Sequence, residues 1–289
     1  MISIIISSYL PHYFSALENN IAETIGVPYE IIKIDNPGLM GICKAYNMGA
    51  EKAKYDYFLF IHEDILFHTD KWGEKLITHL NRPGTGVIGL AGSSYVPVAP
   101  SSWTVSEKHN FINILQGNKE NAESYLINKV SGNTNPVYAV DGVFLGIKKE
   151  NFFDFKFDED INGFHGYDLD FTLRVSKRLQ NYVIDNILIQ HFSGGNLDKK
   201  WLDSNIKIKE KIGSDFQKTI DNTTEKKIFS GFLHKYFEYY PINRKTLLFT
   251  LKFYPYKYLD FRQHLFFIKK YFNYIRYASQ INRKLKVDL

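Results

Sequence analysis

The sequence predicts an α/β fold: a mainly parallel, doubly wound sheet with helices on both faces, followed by an α-helical C-terminal appendage. Short apolar runs, several of them rich in isoleucine, alternate along the chain with segments of helical periodicity. Buried parallel strands are typically continuous apolar runs, and their alternation with helices favours a doubly wound sheet. Beyond residue 226 the sequence becomes basic and aromatic with helical spacing, which predicts the appendage.

The individual elements follow from local patterns. Predicted strands lie at 2–7, 30–34, 57–61 and 86–90, and predicted helices between them at 13–24, 41–53 and 71–80. Residues 96–136 are interrupted by prolines and glycines, and a loop of this length predicts a functional cover or a partly disordered segment. A strand at 137–147, a helix at 167–179 and a strand at 182–190 follow.

The last part of the chain differs in charge and composition. Residues 226–289 carry fourteen Lys and Arg against three acidic residues, a net charge of +11, which leaves −6 on residues 1–225. Eighteen of the 46 aromatic residues lie between Phe229 and Tyr277. We therefore predict one domain over 1–222 and a basic, aromatic-rich helical region over 223–289.

This C-terminal region allows several interpretations. Its aromatic residues can pack on the preceding domain or form a homo-oligomer contact with a second subunit. Its basic residues can instead bind an anionic membrane surface. No nucleic-acid recognition module is visible, so we expect no nucleic-acid partner.

Composition also bears on location. The single cysteine, Cys43, has no partner for an internal disulfide, which favours a reducing compartment. The first residues have no basic segment of a signal peptide, and no run is long enough to cross a bilayer. We expect a cytoplasmic protein, at most peripheral at the inner face of the cell membrane.

A polar cluster follows the strand at 57–61. His62, Glu63 and Asp64 come directly after its apolar residues. Ligands of open α/β sheets bind at the carboxyl ends of strands. Since side chains alternate along an extended chain, His62 and Asp64 are expected on one face, where an imidazole and a carboxylate can hold a divalent cation. The alternative is that these residues only solvate a strand end.

Segments at 2–9, 30–36, 41–49, 62–64, 141–142, 166–174 and 191 occur in the order typical of glycosyltransferase family 2. Over roughly residues 2–202 the chain resembles that family, which has the GT-A fold, a Rossmann-like sheet. The His-Glu-Asp sequence, together with the later His-Phe-Ser-Gly-Gly and Trp201, resembles a bacterial subgroup. The resemblance implies an enzyme that transfers a sugar from a nucleotide-diphosphate sugar.

The resemblance also implies a set of donor-binding residues. The set comprises Ser7, Tyr9, Asp35, Lys44, Asn47, His62, Glu63 and Asp64. Ser7, Tyr9, Asp35 and Asn47 are expected at the base and ribose, and Lys44 near phosphate. In the family the segment at 62–64 binds the cation and the diphosphate. Asp35 and Asn47 also suit ordinary turn and capping roles.

Asp168 matches the family's general base, which takes the proton of the acceptor hydroxyl. The alternative is a carboxylate that the helix N-terminus favours. Asp141 and His165 match positions near the acceptor or the donor sugar. His191 matches a further cation ligand beside Asp64 and His62, although a histidine at a strand end is often structural.

We therefore expect a metal-dependent, inverting glycosyltransferase that uses Mn²⁺ or Mg²⁺. A UDP sugar is the expected donor, and the acceptor is a cell-surface glycan, a lipid-linked oligosaccharide or a glycoprotein. Two other hypotheses stay open at this point. One is a non-catalytic module that binds a nucleotide sugar or carbohydrate; the other is a membrane-docked scaffold.

Overall fold

The computed structural model describes residues 1–117, 124–194, 197–217 and 219–285. The chain divides into two compact units. The first comprises Met1–Tyr95 and Glu107–Gly195, and the second comprises Val96–Ser106 and Asn196–Leu289. The domain boundary after residue 222 stays a prediction.

The first half of the first unit alternates strands and helices as predicted. Its elements are β1 (Ile2–Ser8), α1 (Pro11–Thr24), β2 (Tyr29–Asp35), α2 (Ile42–Lys52), β3 (Tyr57–Ile61), β4 (Ile65–Phe67), α3 (Trp72–Leu80), β5 (Thr85–Gly89) and β6 (Ala91–Ser93). Apolar side chains on one face of α1 are buried, as the periodicity indicates. Gly49 lets α2 pack closely on β1, because a β-carbon at this position would collide with Ile5.

The second half of this unit is richer in strands. Its elements are β7 (Asn110–Gly117), β8 (Ser124–Asn128), β9 (Thr134–Val137), β10 (Ala139–Val140), β11 (Phe144–Lys148), α4 (Lys149–Phe155), α5 (Tyr167–Ser176), β12 (Gln180–Ile184) and β13 (Ile189–His191). The prediction of an irregular cover over 96–136 is therefore wrong for β7, β8 and β9. These strands were not predicted because they contain polar residues. In β7, for example, Asn113 is buried and donates hydrogen bonds to the carbonyls of Asp185 and Ile187.

Among the described residues, the central sheet has seven strands in the order β2-β1-β3-β11-β5-β12-β9. The pairs β1–β2, β1–β3 and β5–β12 are parallel. Strand β11 lies antiparallel between β3 and β5, and β9 is antiparallel to β12. The α/β class is confirmed, and the parallel part of the sheet is concentrated where β1, β2 and β3 end together.

A second sheet has the order β10-β6-β7-β13-β4, with β8 paired to β7. This second sheet explains why two of the predicted strands have the wrong bounds. The predicted strand 137–147 is two strands in different sheets, and 182–190 likewise separates into β12 and β13. At the first break, Gly142 has no room for a side chain, because a β-carbon would collide with the Tyr167 hydroxyl.

The second unit is helical. It contains α6 (Lys199–Ile212), α7 (Asn222–Tyr239), α8 (Arg244–Leu251), a 3₁₀ turn (Tyr256–Tyr258), α9 (Phe261–Arg276) and α10 (Ala278–Asn282). Its core consists mainly of aromatic and aliphatic side chains, centred on Phe229, Phe232, Leu233 and Phe267. Asp221, Asn243 and Asp260 cap the helices that follow them. Among the described residues, none of the helices is both long and apolar enough to traverse a bilayer.

Candidate active site

A cavity of about 520 Å³ opens where β1, β2 and β3 end. Parallel strands that end together leave backbone groups and loop side chains around a shared crevice, which is the usual ligand site of such sheets. The lining residues all belong to the first unit: Ser7, Tyr9, Leu10, Tyr13, Asn36, Pro37, Gly38, Ile42, Tyr46, His62, Glu63, Asp64, Phe164, Tyr167 and Ser193. The site predicted after β3 therefore coincides with a cavity of ligand size.

His62, Asp64 and His191 form a cluster at this cavity. One donor atom from each lies within 4.8 Å of the others. Asp64 Oδ1 is 4.0 Å from His62 Nδ1 and 3.7 Å from His191 Nε2. Strand β13 creates this arrangement, since its antiparallel pairing with β4 sets His191 opposite Ile65, directly after Asp64. Sequence positions 62 and 191 thus meet through strand pairing.

The two histidines are held by hydroxyl groups. His62 Nε2 is 2.8 Å from the Tyr167 hydroxyl, which leaves Nδ1 directed toward Asp64. His191 Nε2 is 3.1 Å from Ser193 Oγ. A bond to the outer ring nitrogen, like that between His62 and Tyr167, orients metal-binding histidines in many proteins. A site of one carboxylate and two imidazoles can hold Mn²⁺ more readily than Mg²⁺, which demands near-ideal octahedral geometry and usually keeps oxygen ligands.

Glu63 is buried and fixes the loop after β1. Its Oε1 accepts hydrogen bonds from the backbone N–H groups of Tyr9 and Leu10, at 3.1 and 2.9 Å. Its Oε2 has no hydrogen-bond partner among the described residues. A buried carboxylate oxygen without a partner is costly. Glu63 lines the cavity, although this oxygen is closed to solvent.

Asp168 lies in the first turn of α5, which begins after Gly166. Gly166 has a φ of 78°, a left-handed conformation that glycine adopts readily. Asp168 Oδ2 accepts a hydrogen bond from Gly142 N–H at 3.1 Å. Burial, followed by the negative charge of Asp141, raises the pKa of Asp168 to about 7. A carboxylate with a pKa near neutrality is suited to general base catalysis.

Two buried phenols lie close to both acidic positions. Burial raises the pKa of Tyr46, and the charges of Asp64 and Asp168 raise it further. The Tyr46 hydroxyl donates a hydrogen bond to the Ile61 carbonyl at 3.2 Å. Tyr167, whose pKa is raised well above its usual value by burial, joins His62 to the start of α5. The end of β3 and the start of α5 therefore meet at one site.

Other predicted donor residues divide into two groups. Ser7 and Tyr9 line the cavity, and Tyr9 is 58% exposed, so its ring is accessible to a ligand. Asp35 lies at the exposed end of β2, where it forms a 2.7 Å ion pair with Lys33, and Lys44 is exposed on α2. Neither Asp35 nor Lys44 is among the described residues that line the cavity.

Asn47 has a structural contact pattern. Its amide donates to the Phe157 carbonyl and to Glu159, both at 2.9 Å, and its Oδ1 accepts from Phe157 N–H at 3.1 Å. The side chain therefore joins α2 to the segment after α4. Asp141 accepts from Val143 N–H at 2.8 Å beside Asp168. His165 is half-buried in the loop before α5, next to the cavity residue Phe164.

Asn36, Tyr46, Tyr167 and Ser193 line the cavity but were not predicted as site residues. Asn36 is 1% exposed, and its amide donates to Ser7 Oγ at 3.2 Å and to the Met40 carbonyl at 3.0 Å. Alternation along an extended chain could have identified it, because position 36 faces opposite to the exposed Asp35. Ser193 belongs to the His-Phe-Ser-Gly-Gly segment of the resemblance, but no role was predicted for it.

Three solved structures show the same fold. S. aureus TarS 1–349 with UDP-GlcNAc has 12% identity and a TM-score of 0.54, covering 97% of this chain and 88% of that one. TarS 1–349 with UDP has 13% identity and a TM-score of 0.51, covering 82% and 72%. GalNAc-T7 with UDP, GalNAc and Mn²⁺ has 11% identity and a TM-score of 0.50, covering 73% of this chain. The matched region is 47% of the GalNAc-T7 chain, about half its length.

The fold is of the GT-A α/β type, as expected. The model of a family described as "Glycosyltransferase like family" matches residues 4–228, more than three quarters of the chain. The chain therefore belongs to the glycosyltransferase-like family, and the expectation of a transferase enzyme is confirmed. A search of curated proteins gave no match.

Proposed function

We propose that the protein transfers a sugar from a nucleotide-diphosphate sugar to an acceptor hydroxyl, in a cation-dependent reaction that inverts the anomeric centre. The observation that carries this proposal is the cavity after β1, β2 and β3, which contains the His62–Asp64 pair beside His191. An acid with a pKa of about 7 follows directly after the cavity residue Tyr167. Donor, cation and base thus have candidate positions in one unit.

The nucleotide is proposed to lie between the loops after β1 and β2. Tyr9 offers an exposed aromatic ring for stacking, and Asn36 and Glu63 supply polar side chains to the cavity wall. UDP is the proposed nucleotide. Complexes of TarS with UDP and UDP-GlcNAc, which share the fold, support this choice.

His62, Asp64 and His191 are proposed to hold the divalent cation, with Mn²⁺ preferred for its tolerance of imidazole ligands. When bound, such a cation neutralises charge on a leaving diphosphate. Tyr167 keeps the His62 ring in place through Nε2, so that Nδ1 stays directed toward the carboxylate. The protein in this way positions two donors before any cation arrives.

Asp168 is proposed as the general base. Its ionised carboxylate takes the proton of the acceptor hydroxyl while that oxygen forms a bond to the anomeric carbon. The bond from this carbon to the diphosphate oxygen breaks on the opposite side, and the nucleoside diphosphate leaves with the bonding electrons. The Gly142 N–H holds one oxygen of Asp168, and the nearby Asp141 makes the carboxylate more basic.

The acceptor is proposed to be a cell-surface glycan, a lipid-linked oligosaccharide or a glycoprotein, modified in the cytoplasm. The site chemistry requires only a nucleophilic hydroxyl, so it does not select among these classes. Asp141 and His165 are proposed to contact the acceptor or the transferred sugar, because both lie close in sequence or space to Asp168.

Asp168→Asn tests the proposal. We expect transfer from a UDP sugar to fall by about 100- to 10,000-fold, because the amide cannot take a proton, while UDP binding with Mn²⁺ persists. Asp154→Asn, which changes an exposed acid of α4, is the matched control and should keep full activity. Wild-type transfer rates in the Asp168→Asn variant would refute the base assignment, and absent UDP binding by the wild type would refute the donor.

The raised pKa of Asp168 adds a pH test. Activity of the wild type should decline as pH falls below about 7, because the base becomes protonated. For stability the sign is opposite. A carboxyl whose pKa is raised from 3.8 to about 7 by folding contributes stability below pH 3.8 that is lost as pH rises through 7. Asp168→Asn should therefore gain more thermal stability over wild type at pH 8 than at pH 5.

A further inference from the structure

Helix α9 has an apolar surface that the core of its unit does not use. Five large apolar side chains on this helix are between 49% and 75% exposed: Phe261, Leu265, Ile268, Phe272 and Ile275. Their spacing of four and three residues places them in one stripe along the helix. A contiguous apolar surface of this kind on a soluble unit marks an interaction site more often than chance exposure.

The buried side of α9 is a different stripe. His264, Phe267, Tyr271 and Tyr274 pack toward the rest of the unit, with a 2.8 Å hydrogen bond between Tyr271 and Thr250. Each exposed apolar residue from 265 onward follows one of these by a single position. Successive residues are about 100° apart around a helix, so the exposed stripe lies beside the core-facing stripe.

A basic stripe follows on the far side. Arg262, Lys269 and Arg276 each come one residue after a member of the apolar stripe, and all three are exposed. Going around the helix, the order is therefore core, exposed apolar surface, basic surface. A helix with an apolar face flanked by Lys and Arg is typical of segments that lie in the headgroup region of a bilayer.

The charges argue against a second copy of this chain as the occupant. If the apolar stripe formed a coiled coil, Arg262, Lys269 and Arg276 would occupy one flanking position of every heptad. The opposite flanking position holds His264, Tyr271 and Ala278, which supply no acidic partner. In an antiparallel pair the basic residues would face each other. An anionic surface complements the stripe, whereas an identical helix repels it.

We propose that this stripe of α9 docks the protein on the surface of an anionic lipid bilayer. The helix lies parallel to the membrane, with the five apolar side chains among the acyl chains near the headgroups. The basic stripe contacts lipid phosphates, and each basic residue increases partition by roughly fivefold near an anionic surface. This inference concerns the helical unit, so it does not depend on the proposed transfer chemistry.

The test uses the full chain and sucrose-loaded vesicles of phosphatidylcholine with or without 30% phosphatidylglycerol. We expect binding to the anionic vesicles that weakens as NaCl is raised from 0.1 to 0.5 M. The double variant Ile268→Gln/Phe272→Gln should partition at least about tenfold less. The variant Tyr125→Gln/Leu126→Gln removes two equally exposed apolar side chains of β8 and should bind like wild type.

Three outcomes would overturn the proposal. The first is wild-type vesicle binding by the Ile268→Gln/Phe272→Gln variant. The second is no binding of the wild type to anionic vesicles. The third is a wild-type dimer, seen by light scattering, that this variant converts to monomer, since the occupant would then be a second copy. Circular dichroism checks that the variant keeps its helices, as exposed substitutions should allow.

Discussion

The two units of this protein differ in which side chains they bury and which they expose. In the first unit, carboxylates and amides are taken out of water and directed to a cavity: Asn36, Glu63 and Asp64 are all less than 9% exposed. In the second unit, large apolar side chains are left in water along α9. Buried polar groups need hydrogen bonds or ion pairs as compensation, whereas an exposed apolar surface marks an interaction site.

The two units also depend on different kinds of interaction. Around the cavity, hydrogen bonds position the functional groups, as between Tyr167 and His62 or between Gly142 and Asp168. In the helical unit, packed aromatic rings hold the helices together. Phe229, for example, contacts Tyr254 and Phe267 at ring-centroid separations of 5.1 and 5.0 Å. Substitutions at the cavity should therefore affect chemistry, and those in the aromatic core should affect stability.

The sharpest test of this contrast is Asp64→Ala. Removing the carboxylate that lies between the two histidines should reduce transfer at least roughly a thousandfold, equivalent to about 4 kcal/mol in the activation barrier, through loss of cation binding. Mn²⁺ titration by calorimetry measures that loss. Circular dichroism checks that the variant stays folded. Asp56→Ala, at an exposed acid in the same unit, is the control; activity of the wild type that persists in excess EDTA would contradict the expectation.

Phe229→Ala tests the other side of the contrast. Phe229 is fully buried in the aromatic core, and truncation of such a residue leaves a cavity. We expect the free energy of unfolding to fall by about 3–5 kcal/mol, measured by urea denaturation. Phe272→Gln is the matched control: this phenylalanine is 65% exposed on α9, and its replacement should change stability by less than about 0.5 kcal/mol. Equal losses would mean that the exposed stripe is part of the core.

Tyr167→Phe should have the smallest effect and separates positioning from ligation. The ring still packs beside Tyr46, but the bond to His62 Nε2 is lost. Loss of an outer hydrogen bond to a metal-binding histidine costs about 10- to 100-fold in cation affinity. Activity should therefore recover when Mn²⁺ is raised, whereas Asp64→Ala should not recover. A Tyr167→Phe variant with wild-type Mn²⁺ dependence would remove His62 from the proposed ligand set.

Much of the first half of the fold was predictable. Strands β1 and β2 are rich in isoleucine and β3 is a continuous apolar run; Tyr57–Ile61 was predicted with the observed bounds. The strands of the second sheet were missed because their residues pair with sequence-distant partners. In β7, for example, Asn113 is buried yet satisfied by carbonyls more than seventy residues later. Composition alone suggests a loop there.

The site was predictable in part for a related reason. Residues at the end of one strand, such as Ser7 or the segment 62–64, can be placed from that strand alone, and they line the cavity. Asp35 and Asn47 were expected beside them, but Asp35 is exposed at the end of β2 and Asn47 is hydrogen-bonded to Phe157. A polar side chain can form a structural hydrogen bond or face the cavity. Which of the two it does depends on a partner that the local sequence does not reveal.

The sequence by itself determined the α/β class, the apolar strands and the chemical types available after β3, because these depend on local periodicity and on residue identity. Only the tertiary structure decided that His191 lies beside Asp64 and that Tyr167 holds His62. It also decided which stripe of α9 is buried. Each of these contacts joins residues that are distant in sequence, so it is set by strand pairing and by packing of the core.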